Sequence, residues 1–145
     1  ILAYSTDRTD LEHESWFQNA AGRWFSNHYG FGQLNVGKAV ELGRTWKPVG
    51  ALQIRTFHSS INAPIPLTME EAVTSQIEVP HGIIARVESV QLTVNMDLVF
   101  RGDFRVDLVS PSGTSCLIFP FRVDRNRHYR DYVTSANCFL DEDPA

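Results

Sequence analysis

A change of hydrophobic period at Lys47-Pro48 constrains this chain more than any other feature. Before it, residues 35–46 place Val36, Ala39, Val40, Gly43 and Trp46 at helical spacing, so small and apolar groups share one face. Asn35 is the expected N-cap, because its side-chain oxygen can accept from an orphaned amide of the first turn. Pro48 ends the run, since it pushes Lys47 out of the helical region and brings no donor of its own. After it, Leu52, Ile54 and Thr56 alternate with Gln53 and Arg55, the period of a half-buried strand. A boundary is expected here, dividing the chain into residues 1–47 and 48–145.

The first 18 residues hold a short apolar start, a polar turn, and Trp16 and Phe17 as the expected burying groups. Asn19-Ala20-Ala21-Gly22 and Tyr29-Gly30-Phe31-Gly32 then read as turns ahead of the helix. Beyond Pro48 the signals are those of strands. Residues 59–71 carry Pro64 and Pro66 and read as a loop, 72–79 as a strand stopped by Pro80-His81-Gly82. Val90, Leu92, Val94 and Met96 alternate with polar residues, as do Phe104, Val106 and Leu108, and the Arg101-Gly102-Asp103 turn between them predicts a β-hairpin. Ser110-Pro111-Ser112-Gly113-Thr114 is dense turn chemistry. Strands at 116–121 and 132–138, separated by a charged loop at 122–130, complete a mainly β chain of the sandwich or jelly-roll kind.

A net charge of −4 with scattered basic residues gives no nucleic-acid footprint, and no apolar run is long enough to be a membrane segment. Ile1-Leu2-Ala3-Tyr4 lacks the basic flank and apolar length of a signal peptide, so the chain is expected to start inside a longer protein. Two cysteines, Cys116 and Cys138, are too few for a four-thiolate zinc site; they form either one disulfide or two buried thiols.

Three short matches suggest serine-protease chemistry: Ser115 after Gly113-Thr114, His81 before Gly82, and Asp7. A nucleophilic serine needs a base within hydrogen-bond reach and a third group to orient that base. Ser115 instead follows a turn and leads into the strand-like Cys116-Leu117-Ile118, so no catalytic residue is assigned. Arg101-Gly102-Asp103 has the letters of an integrin-binding loop, but turn residues preceding a strand are the simpler account. Asp141-Glu142-Asp143 could offer oxygens to a hard cation, or form a solvated acidic loop. His13, His28, His58, His81 and His128 have no metal-site spacing.

The order of the pieces carries a resemblance. Trp16-Phe17-Gln18-Asn19-Ala20-Ala21-Gly22, then Ser26-Asn27-His28-Tyr29-Gly30-Phe31-Gly32-Gln33-Leu34-Asn35, then Ala39-Val40 through Trp46, resembles the end of the catalytic domain of kexin/furin-type proprotein convertases. The continuation resembles their P domain: Arg101-Gly102-Asp103 into Val106-Asp107-Leu108-Val109-Ser110-Pro111-Ser112-Gly113-Thr114, then Tyr132-Val133-Thr134, then Phe139-Leu140-Asp141-Glu142-Asp143-Pro144. The family commonly has Trp at the place of Tyr132, often Trp-Gly-Glu at Leu140-Asp141-Glu142, and Asp-Ala near Leu34-Asn35.

The resemblance implies terminal helices of an α/β subtilisin-like domain followed by a jelly-roll P domain that lacks its closing strands at the C-terminus. It implies a parent that is a calcium-dependent serine endopeptidase, processing proproteins after paired basic residues in the secretory pathway or outside the cell. The triad would precede Ile1, which makes this segment inactive by itself and leaves it a stabilising role toward the catalytic domain of the same chain. Trp16, Phe31, Val40 and Trp46 are the expected packing residues at the junction. The other reading is a non-catalytic jelly-roll binding or adhesion module acting through Arg101-Gly102-Asp103 or the acidic end.

Overall fold

The computed structural model describes residues 1–66, 68 and 71–142. Strand outweighs helix, 27% against 12%, so the chain is mainly β as expected. Its elements are β1 (Thr6–Asp7), β2 (Trp16–Gln18), β3 (Trp24–Ser26), β4 (Gln33–Leu34), α1 (Val36–Thr45), β5 (Val90–Asp97), β6 (Val106–Val109), β7 (Ser115–Phe119) and β8 (His128–Ala136).

The helix forms where its spacing predicts. The Asn35 side chain accepts from the Lys38 amide at 3.0 Å, and the backbone is extended again at Trp46, ahead of Pro48. The several terminal helices expected are one α-helix here, because the turns before it close short antiparallel ladders, β2 on β3 and β1 on β4. Gly32 sits where β1 passes closely: a Cβ there would lie 2.4 Å from the Asp7 carbonyl oxygen, at a φ of +117°.

Strand pairing departs from the expected hairpin. β5 pairs antiparallel with β8, and β6 with β7, so the alternating runs at 90–96 and 104–108 are not partners. The reason lies in the turns. Ser110-Pro111-Ser112-Gly113-Thr114 closes on itself, with the Ser110 amide donating to the Thr114 carbonyl and the Ser110 hydroxyl accepting from the Thr114 amide, and this tight turn joins β6 to β7. Arg101–Asp103 forms a short 3-10 turn that links two ladders instead. β8 also starts at His128, inside the expected loop 122–130.

Residues 52–56 and 72–79, expected as strands, form none, and Leu52 and Ile54 are 71% and 75% exposed. An alternating run becomes a strand only when another backbone satisfies its amides and carbonyls, and none does so here among the described residues. Part of the expected 59–71 loop lies outside the described residues, as does Asp143.

Two clusters form the core. One is Phe104, Phe119 and Tyr129, with Val94, Met96 and Val106 packed on it from β5 and β6. The other is Cys116, Ala136, Cys138 and Phe139, and here Phe17 of β2 and Phe25 of β3 join Val90 and Leu108. Cys116 and Cys138 form a disulfide, which resolves the two alternatives left by the sequence. The N-terminal segment therefore shares a core with the end of the chain.

Candidate functional site

The site built by this fold is a contact between the N-terminal segment and residues 138–142. Phe17 and Phe25 are cross-strand partners of the β2–β3 ladder, and the pleat sends both to the face that meets Phe139 and the disulfide. The turn joining the two strands delivers Asn19, which is only 4% exposed. Its amide nitrogen donates to the Cys138 and Leu140 carbonyls at 2.9 and 2.8 Å, while its oxygen accepts from the Arg23 amide at 2.8 Å. One side chain thus closes its own turn and holds two carbonyls of the opposite segment.

Next to it the Ala20 amide donates to the Thr114 hydroxyl at 2.9 Å and to a Glu142 carboxylate oxygen at 3.0 Å. The Thr114 hydroxyl in turn donates to that same oxygen. Glu142 is 2% exposed, and its other oxygen has no partner among the described residues. A buried carboxylate is costly unless its oxygens are hydrogen-bonded, so these donors matter to the fold.

Asp141 is the ionic centre. The Tyr4 hydroxyl donates to both its oxygens at 2.6 and 2.8 Å, Arg23 Nε to one at 2.8 Å, and Arg86 Nη1 to the other at 3.2 Å. Burial pushes the Asp141 carboxyl up, but the Tyr4 and Arg23 hydrogen bonds and the charges of Arg23 and Arg86 hold it below the ordinary carboxylate value. Burial, and then the bond to Asp141, raises the Tyr4 hydroxyl. The Arg23 guanidinium also lies 4.0 Å from the centre of the Tyr4 ring, and Trp46 packs edge-on against that ring at 5.2 Å.

Of the residues expected to pack at a junction, Trp46 reaches the site through Tyr4. Trp16 is half-buried and stacks on Tyr29 at 5.7 Å, and Phe31 packs on Phe25 at 5.3 Å. Val40 is 58% exposed on α1. Sequence reasoning missed Phe25, Asn19, Tyr4 and Asp141 as partners. A signal for the first two was present: Trp16-Phe17 and Trp24-Phe25 flank a turn containing Asn19 and Gly22, the pattern of a hairpin with one aromatic face.

The other candidate groups are engaged elsewhere. Ser115 opens β7, paired with Val109, and among the described residues no histidine is bonded to it. Arg101 pairs with Asp124 at 3.0 Å and lies over the Tyr129 ring at 4.8 Å; Gly102 is buried, and a Cβ there would lie 1.7 Å from the Arg122 carbonyl oxygen. That turn is a packed element and presents no free Arg and Asp pair. Among the described residues no group of three or more His, Cys, Asp or Glu side chains is arranged to hold a metal ion. Tyr4 and two guanidinium groups already occupy both Asp141 oxygens, which leaves that carboxylate no free oxygen for a hard cation.

Residues 87–145 match the protein family described as the proprotein convertase P-domain. Over 99% of its length the chain is 31% identical to proprotein convertase subtilisin/kexin type 4 of Rattus norvegicus, and it spans 22% of that relative. It is 36% identical to the Aeromonas extracellular serine protease of Aeromonas sobria, over 83% of this chain and 23% of that one. The crystal structure of the serine protease of Aeromonas sobria superposes with a TM-score of 0.81 at 28% identity, covering 97% of this chain and 30% of the other.

Proposed function

Because this chain belongs to the proprotein convertase family and carries its P-domain at residues 87–145, we propose that residues 1–47 are the end of a subtilisin-like catalytic domain and 48–145 part of a jelly-roll P domain. The parent is then a serine endopeptidase that processes proproteins after paired basic residues, and this segment stabilises its catalytic domain. The observation that carries the reading is the insertion of Asn19, at 4% exposure, between the Cys138 and Leu140 carbonyls. A tail fastened in this way transfers the stability of the P domain to whatever precedes it.

The exposed apolar groups of the N-terminal segment, Leu2, Leu34, Val36 and Val40, supply a surface for the preceding catalytic domain. The relatives are four to five times longer than the stretch matched, which accommodates such a domain. Fully burying each of these side chains stabilises by about 1.5–3 kcal/mol, large beside a net stability of about 5–15 kcal/mol. The Cys116–Cys138 disulfide supports a secretory or extracellular setting, since such bonds persist in oxidising compartments.

The test is made in the parent protease. Asn19→Ala, and separately deletion of everything after Pro48, should lower the melting temperature and the yield of mature enzyme. Variants that mature and melt like the intact protease would overturn the stabilising role.

A further inference from the structure

Between α1 and β5 the chain passes close to itself, and Ser59 Oγ and Ser75 Oγ lie 3.0 Å apart. Serine and threonine hydroxyls that meet in this way are a familiar pair directly opposite one another in an antiparallel ladder. Setting Ser59 opposite Ser75 fixes a register for residues 55–61 and 73–79. Phe57 then faces Ile77 and Ile61 faces Val73, on the same side as the serines. The other side takes Thr56, His58 and Ser60 opposite Glu78, Gln76 and Thr74. A slip of one residue would mix the two sets.

Burial follows the same division. Phe57 and Val79, the half-buried residues of the two stretches, both lie on the apolar side, and every residue of the polar side is exposed. Ile61, Val73 and Ile77 are still 52%, 40% and 42% exposed.

We infer that residues 55–61 and 73–79 are a strap poised to close: a two-stranded ribbon with Ser59 opposite Ser75, whose apolar side shuts against the open side of β5. A two-stranded ribbon alone is marginal in water, so closure requires an apolar surface to cover. β5 offers one. Its ladder partner among the described residues is β8, on one edge, and Val90, Leu92, Val94 and Met96 of β5 are half-buried. Residues 80–89 join the second stretch to β5 and reach at most about 35 Å, which keeps strap and strand near each other while leaving room to fold back. The stretch after Pro48 is then a folding element of its own rather than a loose tether, whether or not the function proposed above holds.

Paired cysteines in the 145-residue chain test it. Ser59 and Ser75 are exposed, while Cys116 and Cys138 are buried in their own disulfide, so Ser59→Cys/Ser75→Cys can be oxidised apart from them. This pair should cross-link about tenfold faster than Ser60→Cys/Ser75→Cys, in which the ribbon points the two side chains to opposite sides. Once it is cross-linked, every second amide within 55–61 and 73–79 should exchange about tenfold more slowly than before oxidation. NMR contacts should also join Phe57 or Ile77 to Leu92 or Val94. Equal cross-linking of the two pairs, or a cross-link without alternating protection, would overturn the ribbon. Alternating protection without contacts to Leu92 or Val94 would overturn its closure on β5.

Discussion

The β2–β3 hairpin and helix α1 lie a few residues apart, yet one is docked and the other is bare. Phe17 and Phe25 enter the core around the disulfide, and Asn19 is buried between carbonyls. Val36 and Val40 on α1 are 65% and 58% exposed, and the described residues of the helix include no buried one. The helix is held at its ends, by Lys38 and Asn35 bonding to Asp7 and by Trp46 packing on Tyr4. The difference teaches that attachment and apolarity are separate matters. The hairpin is fixed by two phenyl rings and by polar groups that each reach a specific partner, while the helix leaves Val36 and Val40 largely exposed.

This contrast can be broken by substitution. Replacing Cys116 and Cys138 together by Ser removes the constraint beneath the docked hairpin, and a loop of this length makes the expected loss about 3 kcal/mol in urea unfolding. Asn19→Ala leaves two carbonyls and one amide without a buried partner, for about 2 kcal/mol by the same measurement.

Asp141→Asn removes the charge facing Arg23 and Arg86 while keeping the shape of the side chain, and should cost about 1 kcal/mol, because both arginines are partly solvated. It also changes the pH profile. A carboxyl held below its unfolded value stabilises above about pH 4 and loses that contribution as pH falls through the folded value, so the wild type should show an acid limb that Asp141→Asn flattens. Val40→Ser is the smallest, within about 0.5 kcal/mol in the 145-residue chain. A larger loss would show that α1 is packed after all and erase the contrast.

Much of the fold was legible because it is local. Asn35 as a cap, the end of the helix before Pro48, the alternation of Val90, Leu92, Val94 and Met96, and the 110–114 turn all depend on near neighbours. Pairing was not legible. β5 joins β8 across more than thirty residues because β6 is taken by β7, a choice decided by turn closure and core packing rather than by either strand alone. The same reason explains Leu52 and Ile54, whose alternation matches that of β5 but which have no partner strand among the described residues.

At the site, aromatic residues were visible as core formers, yet Tyr4 and Asp141 meet across 137 positions. No spacing rule reaches that far. The family resemblance marked both ends as meaningful without saying that they touch, and nothing in the spacing of the acidic residues shows that Arg23 and Arg86 converge on Asp141.

The contact between the two ends is tested most directly by a double-mutant cycle on Tyr4 and Asp141. Tyr4→Phe, Asp141→Ala and the double variant are unfolded in urea, and the two single losses should exceed the double loss by about 1 kcal/mol, as expected of side chains in direct contact. Losses that add to within about 0.3 kcal/mol would mean that Tyr4 and Asp141 do not hold the two segments together.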